Sequence, residues 1–313
     1  MCCLFGIMDY KHSLNRKQMD HILNILATAC EARGTDAAGI AYNSNGRLSI
    51  YKKPVSAHKL HIRVPHGVTA VMGHTRMTTQ GSEKLNYNNH PFSGYAGTPF
   101  ALAHNGVLAN DIALRISENL PPTHIKTDSY IAVQLIEKKG KLGFDSLRYM
   151  AEKLEGSFTI TVMDAAENLY IVKGDNPICL YHYPNAGIYL YASTEVILQS
   201  ALKKIRLNLG KPEKIPVTCG EIMRIDHSGK RTVAEFDIDK LCYNYGLYPY
   251  YFGRRAVPHS APSKPAAMTA DERNYLDELK SVAHFFGYSD ADIDALVAEG
   301  FTIDDIEEVL YCA

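Results

Sequence analysis

The feature that most constrains the fold is a repeated strand, turn and strand pattern in the second half of the chain. Residues 158–163 and 169–173 are rich in apolar and β-branched side chains, and a short polar turn separates them. Residues 180–183 and 188–192 repeat this arrangement around a Pro-Asn-Ala-Gly turn. Short strands joined by such turns predict antiparallel β-hairpins.

Two amphipathic helices are predicted earlier in the chain. Residues 16–33 place Ile22, Leu23 and Leu26 at helical spacing, and residues 129–139 carry a second apolar face. Strands and helices in this mixed order predict an α+β fold, in which helices cover layers of antiparallel sheet.

The composition is that of a globular protein that acts on small molecules. The chain has 313 residues, 46% of them hydrophobic, and its 33 basic and 34 acidic side chains give a net charge of -1. This balance favours neither nucleic acid nor an anionic membrane as a partner. The sequence shows no apolar run of membrane-spanning length and no signal peptide, so we expect a cytoplasmic protein.

The chain changes character after its first 240 residues. Residues 241–268 are rich in Tyr, Arg and Pro without periodicity, which is typical of a linker. Residues 269–313 predict a small module of three helices, beginning at Thr269, Ser289 and Thr302. Two interpretations remain open for this module: a bundle that packs on the main domain, or a docking device for a partner.

The seven cysteines are scattered and odd in number, and none forms a Cys-x-x-Cys pair. The pattern therefore predicts reduced thiols, with neither a disulfide framework nor a zinc site. We expect no metal and no cofactor.

Cys2 follows Met1 directly, and cysteine is small enough for methionine aminopeptidase to remove Met1 ahead of it. The product would carry a thiol and a free α-amine on one residue. An α-amine with a pKa of about 7.7 to 8.0 is substantially neutral in cells and can act as the base for its own thiol. Many proteins begin with Met-Cys, so this pair alone leaves the function of Cys2 open.

A series of motifs along residues 2–230 closely resembles the class II glutamine amidotransferases, in the same order. This family includes the glutaminase domains of glucosamine-6-phosphate synthase and amidophosphoribosyltransferase. Besides Cys2, the motifs are Leu4-Phe-Gly-Ile7, Glu31-Ala-Arg-Gly-Thr-Asp-Ala-Ala-Gly-Ile40, Gly73-His-Thr-Arg-Met-Thr-Thr-Gln-Gly-Ser82, Asn89-His-Pro-Phe92, Ala103-His-Asn-Gly-Val107 and Thr127-Asp-Ser129. The resemblance implies an N-terminal nucleophile hydrolase fold, a four-layer αββα sandwich, over residues 2–240.

The resemblance also implies a catalytic apparatus. Cys2 would attack the side-chain amide of glutamine, and a γ-glutamyl thioester would form as ammonia leaves. Asn105 and Gly106 match the family's oxyanion hole, in which one donor typically contributes about 2.7–4 kcal/mol. By itself, an Asn-Gly pair is more often a β-turn.

Three further residues match the family's glutamine-binding contacts. Arg76 would bind the α-carboxylate, Asp128 the α-ammonium, and Thr79 would add a contact. Without the resemblance, the sequence context would predict that Arg76 is a surface charge and that Asp128 is part of a helix start.

A supporting set of residues surrounds these. Arg33, Gly34 and Asp36 match a family element that lies near the nucleophile and fixes the chain terminus, although a helix C-cap would explain Gly34 equally well. His74 and His90 are motif histidines, for which ordered hydrogen bonding is a better expectation than proton transfer.

Two positions depart from the family pattern. Cys3 stands where glycine is usual, and its thiol could oxidise against that of Cys2 if the pocket were accessible. Met77 stands where an aromatic residue often follows the arginine, in a loop that closes over glutamine in relatives.

The expected function is hydrolysis of L-glutamine to L-glutamate and ammonia, which passes to a separate acceptor synthase. No nucleotide phosphate loop is present, and the residues after the glutaminase region are too few for an acceptor domain. One alternative is a catalytically weak protein that senses glutamine or binds a partner. Another is a different N-terminal nucleophile amidohydrolase, which the His-Asn-Gly and Gly-His-Thr-Arg motifs disfavour.

Overall fold

A computed structural model describes residues 2–241 and 289–298, together with residues 273, 276, 277, 280 and 283. The chain divides into two compact units, Met1–Gly246 and Leu247–Ala313.

The first unit contains a seven-stranded antiparallel sheet. Its strands are β1 (Cys3–Asp9), β2 (Ala37–Ser44), β3 (Arg47–Lys53), β4 (Ala70–Arg76), β9 (Cys179–Tyr183), β10 (Ile188–Ala192) and β11 (Glu213–Ile215). They lie in the order β11-β9-β10-β1-β4-β2-β3. The first strand of the chain is therefore the central strand of this sheet.

The second sheet of this unit has six antiparallel strands. They are β5 (Phe92–Tyr95), β6 (Pro99–Leu108), β7 (Gly156–Asp164), β8 (Leu169–Lys173), β12 (Glu221–Ile225) and β13 (Arg231–Glu235). Their order is β13-β12-β8-β7-β6-β5.

Helices cover the outer face of each sheet. α1 (Arg16–Ala29), α2 (Ala57–Leu60) and α6 (Glu195–Lys204) share one apolar core with the first sheet. α3 (Asp111–Ser117), α4 (Tyr130–Lys138) and α5 (Phe144–Lys153) share another with the second sheet. A third core of Leu, Met, Ile and Ala side chains lies between the sheets. The unit is thus a four-layer αββα sandwich, as the family resemblance implies.

The alternation of side chains in β1 explains how one strand serves two cores. Cys3, Phe5 and Ile7 belong to the core beneath the helices, whereas Leu4 and Met8 belong to the core between the sheets. Successive side chains of a strand point to opposite faces, so a central strand of this sandwich must be apolar throughout.

The predicted local elements are confirmed. Residues 158–163 lie in β7 and pair with β8, and β9 pairs with β10. α1 begins after Asn15, whose side chain accepts a hydrogen bond from Gln18 N in a capping box. The predicted helix runs only to Ala29, because a 3₁₀ turn at Cys30–Ala32 continues it in a tighter form.

In the second unit the structure describes α7 (Asp290–Ala298). It begins after Ser289, whose carbonyl accepts a hydrogen bond from Ile293 N at 3.3 Å. Lys280 and Asp294 form an ion pair at 2.5 Å. The described residues between 273 and 283 are helical. The predicted linker beyond Leu241 and the predicted helix at Thr302 fall outside the described residues.

Within the described part of the chain, no helix combines the length and apolar character needed to cross a membrane.

Candidate active site

Cys2 lies immediately before the central strand β1. Cys3 pairs with Thr75 of β4, so Cys2 lies beside the end of β4. The half-buried Cys2 thiol contacts the carbonyl oxygen of Met77 at 3.5 Å. Arg33 donates from Nε to the carbonyl oxygen of Cys2 at 3.0 Å. The backbone of Cys2 is therefore fixed from a second segment of the chain.

That second segment, residues 33–36, also hydrogen-bonds to the loop that follows β4. Asp36 accepts a hydrogen bond from Thr78 N at 2.7 Å and donates its own N–H to Arg76 O at 3.0 Å. A Cβ atom on Gly34 would lie 2.5 Å from the carbonyl carbon of Arg76. Gly34 follows the C-cap Arg33 of the 3₁₀ turn and donates its N–H to Glu31 O at 3.3 Å, and its lack of a side chain permits this close approach of two backbones.

Arg76 is only 3% exposed and is not the surface charge that its sequence context alone suggests. Its Nη1 donates to Asn89 Oδ1 at 2.7 Å, and its Nη2 donates to the carbonyls of Gln80 and Gly81 at 2.5 and 2.9 Å. The loop after β4 thus folds around the guanidinium. Thr79 is exposed on this loop.

The electrostatic environment links Cys2 to two of the predicted glutamine contacts, Arg76 and Asp128. Burial raises the pKa of the Cys2 thiol, which the Arg76 charge lowers and the Asp128 carboxylate raises. Burial also lowers the pKa of Arg76, which Cys2 and Asp128 oppose. These groups therefore lie within electrostatic reach of one another.

Asn105 and Gly106 lie inside β6, where they pair with Thr159 and Phe158 of β7. They are not a β-turn. The Asn105 side chain is fully buried, and neither of its polar atoms has a hydrogen-bond partner in the described part of the chain. Gly106 has φ +144, and a Cβ there would lie 1.9 Å from Ser157 O. Only glycine fits this position.

Asp128 is 5% exposed and lies just before α4, with its carboxylate directed at the end of β6. Oδ2 accepts a hydrogen bond from Leu108 N at 2.7 Å, and Oδ1 accepts one from Ser129 Oγ at 3.2 Å. The Ser129 hydroxyl also lies 2.8 Å from His104 Nδ1. Asp128 therefore bonds to β6 rather than capping α4.

His74, His90 and His104 form a buried cluster. His74 Nε2 donates to the carbonyl of His104 at 3.0 Å, and its ring lies 4.2 Å from that of His90. Burial lowers the pKa of His74 to about 3 and also lowers those of His90 and His104. All three are neutral near pH 7. His74 makes the expected ordered hydrogen bond, but neither ring nitrogen of His90 has a partner in the described part of the chain, so the expectation of hydrogen bonding is wrong for His90.

Sequence reasoning assigned no role to His104 or Ser129. Both lie within motifs of the family resemblance. The only sequence feature that pointed to them was their position beside Asn105 and Asp128.

Cys3 is fully buried beneath the helices, and its Sγ lies 3.5 Å from the carbonyl oxygen of Leu4. Its side chain belongs to the core on the helical face, so the accessibility on which oxidation against Cys2 depends is not found at Cys3. The five cysteines in the described residues are free thiols.

Comparison with known proteins supplies relatives for this arrangement, although no protein-family model matches the chain. The glutamine–fructose-6-phosphate aminotransferase (isomerizing) of Streptococcus pyogenes serotype M6 is 27% identical over 303 residues, covering 90% of this chain and 46% of that protein. The chain therefore spans about half the length of the curated relatives that it matches.

Two solved structures share the fold. The glutamine phosphoribosylpyrophosphate amidotransferase of B. subtilis matches with a TM-score of 0.59 and 19% identity, over 79% of this chain and 52% of that one. An allosteric regulatory enzyme of purine biosynthesis matches with a TM-score of 0.61, also at 19% identity, with the same coverage. The sandwich is an N-terminal nucleophile hydrolase fold. Together with the aminotransferase relatives, this shows that the chain carries a class II glutamine amidotransferase domain, distantly homologous to the glutaminase domains of those enzymes.

Proposed function

We propose that this chain hydrolyses L-glutamine to L-glutamate and ammonia, with Cys2 as the nucleophile. The observation that carries the proposal is the Asn105 side chain, which is fully buried beside Gly106 and has no protein partner for its amide in the described residues. An unpartnered buried amide costs about 1–3 kcal/mol. The cost is offset during the reaction, when the amide donates a hydrogen bond to the transient oxyanion.

The nucleophile requires a free α-amine on Cys2, and therefore removal of Met1. Since burial raises the pKa of the thiol, a base must take its proton before attack. The α-amine of the same residue is the nearest candidate, with a pKa of about 7.7–8.0. The hydrogen bond from Arg33 to the Cys2 carbonyl orients the residue for this transfer.

The Cys2 thiolate attacks the side-chain carbonyl carbon of glutamine and gives a tetrahedral intermediate. The Asn105 Nδ2 and the Gly106 N–H stabilise its oxyanion. The intermediate expels ammonia, after protonation of the nitrogen by the α-ammonium of Cys2, and leaves a γ-glutamyl thioester. Water then cleaves the thioester to glutamate and regenerates the thiol.

Arg76 and Asp128 bind the α-carboxylate and the α-ammonium of glutamine, and Thr79 adds a contact. The carbonyls of Gln80 and Gly81 occupy Nη2 of Arg76. A bidentate contact with a carboxylate therefore replaces at least one of them and couples binding to movement of this loop.

The ammonia released from glutamine passes to an acceptor. The support is that the curated relatives are named glutamine–fructose-6-phosphate aminotransferases, a name that describes transfer of nitrogen from glutamine to a second substrate.

One experiment tests the function. Purified protein is analysed by intact mass for loss of Met1 and assayed for glutamate and ammonia release from L-glutamine. We expect the Met1-free form to turn over and Cys2→Ala to be inactive yet still bind glutamine. Equal turnover by Cys2→Ala would overturn the mechanism, and glutamine binding without turnover by the Met1-free wild type would favour a sensing role.

A further inference from the structure

The backbone that carries the proposed oxyanion donors is tied at both ends to one carboxylate. We call residues 104–108 of β6 the oxyanion segment. At its far end, Leu108 N donates to Asp128 Oδ2 at 2.7 Å. At its near end, His104 Nδ1 lies 2.8 Å from Ser129 Oγ, which lies 3.2 Å from Asp128 Oδ1. Ser129 therefore connects the carboxylate of Asp128 to the residue before Asn105.

The direction of these hydrogen bonds follows from the number of protons. Ser129 has a single hydroxyl proton, and Asp128 Oδ1 as a carboxylate oxygen can only accept. If Ser129 donates to Asp128, His104 must donate from Nδ1 to Ser129. In the alternative tautomer the proton is on His104 Nε2, which has only a 3.4 Å contact with Ser157 O. Ser129 would then donate to His104 Nδ1, and Asp128 Oδ1 would lose the Ser129 hydrogen bond. Bonds to a charged acceptor are the stronger ones, so the chain runs from His104 through Ser129 to Asp128.

The Asn105 side chain depends on this backbone for its orientation. With no hydrogen-bond partner for its polar atoms in the described residues, the buried amide is oriented by packing and by the backbone of β6. His74 Nε2 holds the carbonyl of His104 from the opposite sheet at 3.0 Å. A small shift of the oxyanion segment therefore displaces the Asn105 amide from the position of the oxyanion.

We propose that Ser129 is a positioning residue that couples recognition of the α-ammonium group at Asp128 to the placement of Asn105 and Gly106. This inference rests on the proposed glutaminase function. An ammonium group at Asp128 donates to the same carboxylate that receives the Ser129 and Leu108 hydrogen bonds. The position of the carboxylate depends on the ammonium group and on these two hydrogen bonds together. The α-ammonium of the substrate therefore contributes to catalysis as well as to binding.

The first arm of the test needs no variant. Glutaramate is glutamine without its α-amino group, and the wild-type enzyme is assayed with both amides. Coupling predicts that kcat falls by roughly tenfold or more for glutaramate, in addition to a higher KM. A change confined to KM would overturn the proposal, since the α-ammonium would then serve binding alone.

The second arm removes the hydroxyl. Ser129→Ala should lower kcat for glutamine by roughly 10- to 100-fold with little change in KM, and Ser129→Thr, which keeps the hydroxyl, should recover most of it. In Ser129→Ala the ratio of the kcat values for glutamine and glutaramate should shrink by about threefold or more. Ser146→Ala is the matched control, because Ser146 is also buried but caps α5.

The outcomes separate the two proposals. An inactive, Met1-free wild type overturns the glutaminase function, and this inference with it. An active wild type whose Ser129→Ala variant keeps its kcat, or keeps the same kcat ratio between the two amides, overturns the coupling alone. A fall in kcat with an unchanged melting temperature, rescued by Ser129→Thr, supports positioning over a general loss of structure.

Discussion

Arg33 donates a hydrogen bond to the carbonyl of Cys2 at 3.0 Å, which joins the segment after α1 to the residue that precedes β1. The thiol of the same residue contacts Met77 O. Cys2 is thus positioned by its backbone from one side and by its side chain from the other. This double attachment makes the orientation of Cys2 sensitive to Arg33.

Arg33→Ala should lower the rate at which Cys2 reacts with the electrophilic glutamine analogue 6-diazo-5-oxonorleucine by roughly 10- to 100-fold, because the residue loses its backbone restraint. The rate is measured by mass spectrometry against time. Arg63→Ala is the control, since Arg63 is exposed. Equal labelling of both variants would show that the hydrogen bond is not needed to orient Cys2.

The same reagent should label a single thiol. Cys3 and Cys30 are fully buried, whereas Cys2 is half-buried. Cys219 is exposed as well, but the reagent is a glutamine analogue and reacts where glutamine binds, so peptide mapping should find the adduct on Cys2. Cys2→Ala should abolish labelling, and an adduct on any other cysteine would refute the assignment of the nucleophile.

Asn105→Ala should separate activity from stability. Loss of an oxyanion donor should lower kcat by about 10²–10³-fold. The amide has no partner in the described residues, so its removal breaks no hydrogen bond there, and the melting temperature should stay the same or rise. Thermal unfolding and steady-state kinetics on one preparation test both halves, and a large drop in melting temperature would contradict this account.

Gly106→Ala should lower the stability of the protein, for a steric reason. Its Cβ would lie 1.9 Å from Ser157 O at φ +144. Backbone strain of about 1–3 kcal/mol and steric overlap of about 1–3 kcal/mol should therefore both lower the unfolding free energy. Gly46→Ala is the matched control: Gly46 has φ +71, but a Cβ added there would meet no atom within 4 Å, so only about 1–2 kcal/mol should be lost. Denaturant unfolding of both variants tests the difference.

The buried histidines predict a stability that falls in acid. The folded-state pKa of His74 is about 3, against about 6.5 in the unfolded chain, so the unfolded state binds the additional proton between those values. Stability is then complete above about pH 6.5 and is lost as the pH falls towards about 3. His90 and His104 shift in the same direction.

His74→Gln should reduce the pH slope of the unfolding free energy within that window by about 1.4 kcal/mol per pH unit. Denaturant titrations at several pH values measure it, with the exposed His66→Gln as the control for losing a histidine. An unchanged slope in His74→Gln would mean that His74 is protonated in the folded protein.

The sequence was informative where local pattern decides the structure. The hairpins from 158 to 192 and the start of α1 follow from side-chain periodicity and capping, which act within a few residues. The central position of β1 does not, because its partners β4 and β10 come from distant parts of the chain.

The site divides in the same way. The motifs identified Cys2, Arg76 and Asn105 as candidates, because residue type and order carry that information. The contacts of Arg76 with Gln80 and Gly81, and of Ser129 with His104, arise only when separate segments meet. Such contacts leave no periodic trace in the sequence.

The placement of β1 has a consequence for biosynthesis. Phe5 pairs with Gly73 of β4 on one edge and with Ala192 of β10 on the other, so β1 cannot be paired on both edges until the ribosome has made residue 192. Throughout that interval the sheet is incomplete beside the N-terminal residues on which methionine aminopeptidase acts. The order of synthesis thereby gives the processing enzyme time to act before folding half-buries Cys2.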